Sequence, residues 1–207
     1  MNKLDSRSGS EEFAQLENEV VKQHNRLAES KRKAPREKVA DYKLNSSSGR
    51  IALSCLFGAH NNLIVVHNMG QSCRYCTMWA DGFNGIYPHL ANRAGFALVS
   101  PDPPERQRAF AQSRGWRFPI YSEGSKFIED MGFIDEEGDP IPGVSTFVRE
   151  SKGDIFRVAR APFGPFDPFC ATWHLFALLA DGINAGNHSI DIEVGDCPVR
   201  PIRLRCQ

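Results

Sequence analysis

The stretch Leu63-Ile64-Val65-Val66-His67-Asn68-Met69-Gly70-Gln71-Ser72-Cys73-Arg74-Tyr75-Cys76 decides the fold of this chain. Its first four residues form a short continuous apolar run, which is typical of a strand buried on both faces inside a parallel sheet. Cys73 and Cys76 follow after a short loop, and their spacing allows the two thiols to close a small disulfide or to bind a soft metal ion. The stretch therefore predicts a buried strand, a loop and a close pair of cysteines that opens a helix.

Composition limits the classes of partner that this protein can have. The 207 residues carry 25 Lys plus Arg and 25 Asp plus Glu, so the net charge is zero with neutral His. Nucleic-acid-binding and membrane-surface proteins usually carry a basic excess, so we expect neither partner. No apolar run reaches the roughly 18 residues of a membrane span. The six irregularly spaced cysteines do not indicate a disulfide-rich secreted scaffold, so we expect a cytoplasmic protein.

The first 35 residues predict an amphipathic helix outside the central domain. Apolar residues recur along it at helical spacing, at Phe13, Leu16, Val20 and Leu27. Pro35 ends the helix. Its apolar face must dock on its own domain or on a second subunit, so a homodimer through this helix is one expectation. We divide the chain into this extension (1–35), a central domain (36–182) and an irregular C-terminal tail (183–207).

The central domain alternates predicted strands with predicted helices. The strands occupy residues 51–53, 62–67, 96–99 and 116–121. Between the last two strands, Pro104 to Arg114 forms a helix, because a proline stands in its first turn and Gly115 follows its end. Such alternation is typical of a parallel α/β core.

Two further helices and a hairpin complete the prediction. The helix after the cysteine pair is expected to break into two pieces, because it contains Gly82, Gly85 and Pro88. Residues 146–148 and 155–158 form a hairpin, and a last helix runs over 167–180. Cys55 and Cys170 are expected to be buried as small apolar side chains.

Six short strings along the chain carry a family resemblance. They are His67-Asn68-Met69-Gly70, Cys73-Arg74-Tyr75-Cys76-Thr77, Trp79-Ala80-Asp81-Gly82, Arg114-Gly115-Trp116, Pro142-Gly143-Val144-Ser145 and Phe163-Gly164-Pro165. With them the chain resembles the bacterial thioredoxin-like family known as domain of unknown function 899, over roughly residues 10 to 182. The resemblance implies a thioredoxin-like α/β fold, in which helices flank a central mixed sheet.

Thiol redox folds use the same order of strand, short loop and cysteine pair at a helix start, so we expect thiol–disulfide exchange at this pair. The free N–H groups and the dipole of a helix N-terminus, with the positive charge of Arg74, are expected to lower the pKa of Cys73 from the free-thiol value of about 8.5. Cys73 then attacks a disulfide, and Cys76 resolves the mixed disulfide. We expect this pair to be less reducing than thioredoxin. No cofactor is expected.

His67 is a third candidate for the catalytic site. It stands six residues before Cys73, where thioredoxins carry a buried carboxylate that moves protons for the inner cysteine. An imidazole at this position can accept the proton of Cys76, because its usual pKa lies near neutral pH.

Contacts to a thiol or disulfide substrate, either a protein or a small molecule, are expected from four side chains: Tyr75, Trp79, Val144 and Ser145. Ser145 aligns with the cis-proline of thioredoxins, so the surface that pairs with a substrate is altered. Neither cysteine fits the Pro-x-x-x-Thr/Ser-x-x-Cys pattern of peroxiredoxins.

Two other functions remain open at this stage. His67, Cys73 and Cys76 offer one imidazole and two thiolates, a donor set suited to copper or zinc. Alternatively, the chain is a non-catalytic interaction module that keeps the fold and two unused thiols.

Overall fold

The computed structural model describes residues 3–180 and residue 182. Its strands are β1 (Glu37–Val39), β2 (Lys43–Ser46), β3 (Gly49–Ala52), β4 (Asn62–His67), β5 (Gly95–Ser100), β6 (Ile120–Ser122), β7 (Gly143–Arg149) and β8 (Ile155–Pro162). Its α-helices are α1 (Lys3–Lys33), α2 (Arg74–Arg93), α3 (Pro104–Arg114), α4 (Ser125–Met131) and α5 (Ala171–Phe176). A 3-10 helix spans Leu53–Phe57.

The strands form one mixed sheet in the order β1-β8-β7-β4-β5-β6-β2-β3. Strand β4 is parallel to β5, which is parallel to β6, and helices α2 and α3 make the two crossovers. On its other side β4 is antiparallel to β7, which forms the predicted hairpin with β8. The α/β prediction, with a central mixed sheet flanked by helices, is confirmed.

Two apolar cores lie on opposite faces of this sheet, because successive side chains of a strand point to opposite sides. On one face, Val65 packs with the 3-10 helix and with α4, in a core that includes Phe57 and Phe133. On the other face, Val66 packs with Trp79 and other residues of α2. The continuous apolar run of β4 therefore serves both cores, as expected of a strand buried on both sides.

Helix α2 is continuous, so the predicted break is wrong. The peptide nitrogen of Pro88 has no hydrogen to donate to the carbonyl oxygen of Asn84, one helical turn earlier. In its place the Arg117 guanidinium donates a hydrogen bond to Asn84 O, at 3.0 Å. The helix continues because a side chain from outside it satisfies the carbonyl that the proline leaves open.

The last helix is shorter than predicted. Asp167 does not start it, because its carboxylate accepts hydrogen bonds from the backbone N–H groups of Gly164 and Phe169 and so closes a turn. Helix α5 begins only at Ala171, after Cys170. Cys170 is buried as predicted, whereas Cys55 is exposed on the 3-10 helix, so the burial predicted for Cys55 is wrong.

Other differences concern short elements. Helix α4 and the hairpin of β2 with β3 were not predicted, and β6 begins at Ile120 rather than at residue 116. The predicted tail, 183–207, lies outside the described residues. Within the described part of the chain, no helix combines the length and the apolar content that crossing a membrane requires.

Candidate active site around Cys73 and Cys76

Cys73 and Cys76 lie at the start of α2, after the loop that follows β4. Cys73 occupies the N-cap position of α2, and its sulfur accepts a hydrogen bond from the backbone N–H of Cys76 at 3.1 Å. The two sulfur atoms are at bonding distance, with the Cα atoms 5.2 Å apart. The two residues differ in exposure: Cys73 is half-buried, whereas Cys76 is 2% exposed. A reagent can therefore reach the first sulfur more easily than the second.

Side chains on either side fix the loop that carries the cysteines. Asn68 accepts a hydrogen bond from Gly70 N at 2.8 Å and donates one to Cys76 O at 3.3 Å. The Asp102 carboxylate accepts a hydrogen bond from Gln71 N at 2.7 Å. Gly70 has a φ of +102°, and a Cβ there would stand 2.7 Å from the Asp102 carboxylate, so only glycine allows this approach. Asn68 and Asp102 thus hold the loop in the conformation that places Cys73.

His67 belongs to a buried chain of three polar side chains. Its Nε2 lies 3.1 Å from Ser145 Oγ, and its Nδ1 lies 3.5 Å from Glu123 Oε2. All three are enclosed, with Ser145 at 0%, His67 at 2% and Glu123 at 7% exposure. The register of β4 and β7, in which Val65 pairs with Ser145, makes His67 and Ser145 diagonal neighbours on one sheet face.

Glu123 is the acidic member of this group of three side chains. Burial raises the pKa of its carboxyl group, because the charged form loses its hydration, while the neighbouring His67 acts in the opposite direction. The sequence analysis missed Glu123, which follows β6 in a position that no motif marks. Only the sheet order brings the end of β6 to the same face as His67.

The ring of His67 lies on the face of the sheet opposite to the core beneath α2. It stacks on Phe133 and Phe127, with centroid separations of 4.2 and 5.6 Å, and both phenylalanines belong to the core on the α4 side. Gly143 leaves room for this packing, because a Cβ at that position would overlap the Phe133 ring. The ring nitrogens of His67 therefore face Ser145 and Glu123.

Aromatic side chains form a wall beside the cysteines. Tyr75 is 48% exposed and stacks on Trp173 of α5, with centroids 5.6 Å apart. Trp79 is buried, stacks on Phe163 at 5.3 Å and donates a hydrogen bond to Asp167 at 2.9 Å. Of the residues predicted to contact a substrate, Tyr75 is accessible, whereas burial closes Trp79 and Ser145 to a substrate in this structure.

Val144, the fourth predicted contact residue, lines an apolar cavity of about 370 Å³ on the α2 side of the sheet. Val66, Phe83 and Phe169, which precedes α5, also line this cavity. Val144 is half-buried, so an apolar group that enters the cavity can reach it.

The metal site considered in the sequence analysis does not form within the described residues. No group of three or more His, Cys, Asp or Glu side chains is arranged there to hold a metal ion. The sulfurs of Cys73 and Cys76 bond to each other, and the ring of His67 is turned toward Ser145 and Glu123. The predicted donor set His67, Cys73 and Cys76 is therefore not assembled.

Two of the strings that carried the family resemblance meet behind the site. Asp81 of α2 accepts hydrogen bonds from Trp116 Nε1 at 2.7 Å and from Arg114 Nε at 3.2 Å, and it forms an ion pair with Arg114. This contact ties α2, which carries the cysteines, to the end of α3.

The model of the family of bacterial proteins of unknown function DUF899 matches residues 6–192. The chain belongs to the DUF899 family.

The thioredoxin-like fold of the DUF899 chain is supported by its likeness to the first of three solved structures, and the likeness of the other two is weaker. The reduced Prx3 of Vibrio vulnificus, in complex with hydrogen peroxide, is 14% identical with a TM-score of 0.53, and the match covers 70% of this chain and 99% of that one. The peroxidoxin BcpB of Mycobacterium tuberculosis is 22% identical with a TM-score of 0.48, covering 61% and 84%. A thioredoxin-family thiol:disulfide interchange protein of Chlorobium tepidum TLS is 19% identical, covering 59% and 83%, with a TM-score of 0.42. No functionally curated protein matches the sequence.

Proposed function

We propose that this DUF899 protein catalyses thiol–disulfide exchange through Cys73 and Cys76. The observation that carries the proposal is the difference in solvent exposure between the two bonded cysteines. Cys73 is half-exposed at the N-cap of α2, and Cys76 is buried behind it. This arrangement suits a pair in which the outer thiol reacts first and the inner thiol follows.

The reaction balances with the two thiols alone. In the reduced protein, the Cys73 thiolate attacks one sulfur of a substrate disulfide, and the other substrate sulfur leaves and takes up a proton. Cys76 then loses its proton and attacks Cys73 Sγ, which closes the Cys73–Cys76 disulfide and releases the second substrate thiol. Two electrons pass from the protein to the substrate, and an external thiol must reduce the pair again.

The test is reduction of a protein disulfide, such as those of insulin, with a thiol reductant present. We expect Cys73→Ser to abolish turnover. Cys76→Ser should instead accumulate a mixed disulfide on Cys73, detected by mass spectrometry, because the resolving thiol is missing. Cys55→Ser is the matched control, since Cys55 is exposed but lies outside the pair. Turnover by Cys73→Ser, or no adduct in Cys76→Ser, would contradict the proposal.

Arg74 and the helix N-terminus support a further expectation on the reduction potential. Both stabilise the Cys73 thiolate, and stabilising the reduced form makes a disulfide more oxidising. We expect a potential less negative than the roughly −270 mV of thioredoxin. Equilibration with glutathione buffers measures it, and a value at or below that of thioredoxin would contradict the expectation.

The role of His67 as proton acceptor for Cys76 stays a prediction. Its support is its place at the end of β4, the strand that leads into the cysteine loop, whereas its ring nitrogens face Ser145 and Glu123 in this structure. A His67→Gln variant tests it through the dependence of the exchange rate on pH. We expect the profile to lose the ionisation of an imidazole; an unchanged profile, whatever the absolute rate, would remove His67 from the proton step.

A further inference from the structure

Helix α1 exposes a narrow apolar stripe. Every side chain from residue 10 to residue 30 is exposed, and the stripe consists of Phe13, Leu16, Val20 and Leu27. With 3.6 residues per turn, these four side chains lie within about 60° of one another around the helix. Since a helix in water gains most of its stability by packing such a face, the stripe needs a partner surface.

The spacing of the stripe matches that of paired helices. Phe13, Val20 and Leu27 stand seven residues apart, and residues 10–33 contain no glycine or proline. A seven-residue apolar repeat keeps one face toward a second helix along the whole contact. The seven-residue repeat within the stripe is also symmetric, because Phe13 and Leu27 are equally far from Val20. A two-fold axis at Val20 therefore sets Phe13 of one α1 against Leu27 of the partner subunit.

Charge divides α1 into two complementary halves. Residues 10–20 carry no Lys or Arg and four acids, Glu11, Glu12, Glu17 and Glu19. Residues 21–33 carry a single acid, Glu29, and five bases, Lys22, Arg26, Lys31, Arg32 and Lys33. The helix dipole favours acids near the N-terminus and bases near the C-terminus only within the first and last turns. It therefore does not account for the charged residues in the middle of the helix, which are Glu17, Glu19, Lys22 and Arg26.

These charges select one relative direction for two α1 helices. A parallel pair sets acid half against acid half and basic half against basic half, and like charges in contact oppose association. An antiparallel pair sets each acid half on the basic half of the other helix. A surface that complements itself in both shape and charge is what a two-fold interface requires.

We propose that the protein forms a two-fold dimer in which α1 helices of two copies pair antiparallel through the stripe Phe13, Leu16, Val20 and Leu27. The contact uses only α1, so it leaves the cysteine pair of each copy accessible. It does not depend on the exchange reaction proposed above.

The first test is the mass of the protein in solution at micromolar concentration, by sedimentation velocity. We expect twice the chain mass of 23.1 kDa. Val20→Glu sets two carboxylates at the axis and should return the mass to that of one chain. Val21→Glu is the matched control: it is 58% exposed and adjacent in sequence, but lies about 100° round the helix, outside the stripe. It should keep the dimer.

The second test reads the direction of the helices. In a Phe13→Cys, Leu27→Cys double variant, oxidation should link position 13 of one chain to position 27 of the other, and mass spectrometry of the linked peptides identifies the pair. Links between two positions 13, or between two positions 27, would overturn the antiparallel arrangement. A wild-type protein with the mass of one chain would overturn the dimer. Equal effects of Val20→Glu and Val21→Glu would exclude the stripe as the contact.

Discussion

Glu123 is a carboxyl group that the fold encloses almost completely, beside the ring of His67. Burial raises its pKa above the usual value of 4.5, so the folded protein holds this proton more tightly than the unfolded chain. The stabilisation that follows is fully present below about pH 4.5 and is lost as the pH rises through the folded pKa. The loss has a slope of at most about 1.4 kcal/mol per pH unit for one proton.

Glu123→Gln should remove this pH dependence, because an amide does not titrate. We expect the free energy of unfolding of the wild type, relative to that of Glu123→Gln, to fall as the pH is raised above about 4.5. Denaturant titrations over a pH series measure both proteins. Glu136→Gln serves as the control, because its side chain is exposed. If the difference in unfolding free energy between the two proteins stayed constant over the series, the fold would not shift the pKa of Glu123.

At the scale of elements, α2 carries glycines where the fold does not need them. Gly82 and Gly85 have no neighbouring atom within 4 Å of the position that a Cβ would take. Glycine inside a helix costs about 0.5–1 kcal/mol relative to alanine, because it loses more backbone entropy on folding. We therefore expect Gly82→Ala and Gly85→Ala each to raise the free energy of unfolding by about 0.5–1 kcal/mol, measured by denaturant titration.

The same substitution in β7 should have the opposite effect. At Gly143 a Cβ would overlap the Phe133 ring and approach Ala161 O to 2.7 Å. We expect Gly143→Ala to lower the free energy of unfolding by about 1–3 kcal/mol, the usual cost of overpacking a core. Equal effects at Gly82 and Gly143 would show that the packing of Phe133 over Gly143 does not contribute to stability.

At the scale of the whole molecule, the sheet separates two cores, and strands β4 and β5 each send side chains into both of them. Val65 and Val66 are neighbours in sequence, but they pack on opposite faces. Truncation of either to alanine removes two methyl groups from a filled core and should cost about 2 kcal/mol. Because the two sites share no side-chain partner in these cores, the costs should add to within about 0.5 kcal/mol.

A double-mutant cycle of Val65→Ala and Val66→Ala measures this additivity by denaturant titration. The slope of each titration shows whether the variants unfold from the same compact state. A coupling energy well above 0.5 kcal/mol would mean that the two cores respond to each other through the strand. The pair Val65→Ala with Leu63→Ala is the comparison, since both side chains belong to one core and are expected to couple.

Local patterns in the sequence were enough to predict the elements around the cysteines. The apolar run of β4 needs burial on both faces whatever surrounds it, so its bounds at Asn62 and His67 follow from the sequence. Helix α3 likewise follows from its proline and from Gly115, which takes the left-handed conformation with a φ of 65°. The spacing of Cys73 and Cys76 allowed the disulfide that the structure shows, because two thiols three residues apart at the start of a helix can reach each other.

Tertiary structure decided the contacts that no local sequence pattern could predict. Arg117 keeps α2 intact at Pro88, and the pairing of β4 with β7 brings His67 to Ser145. Glu123 joins His67 only through the sheet order. Each of these contacts joins residues far apart in the chain, and their partners are fixed by strand order and register rather than by sequence spacing. The sequence by itself therefore determined the cysteine pair and its strand, and the fold determined which side chains surround them.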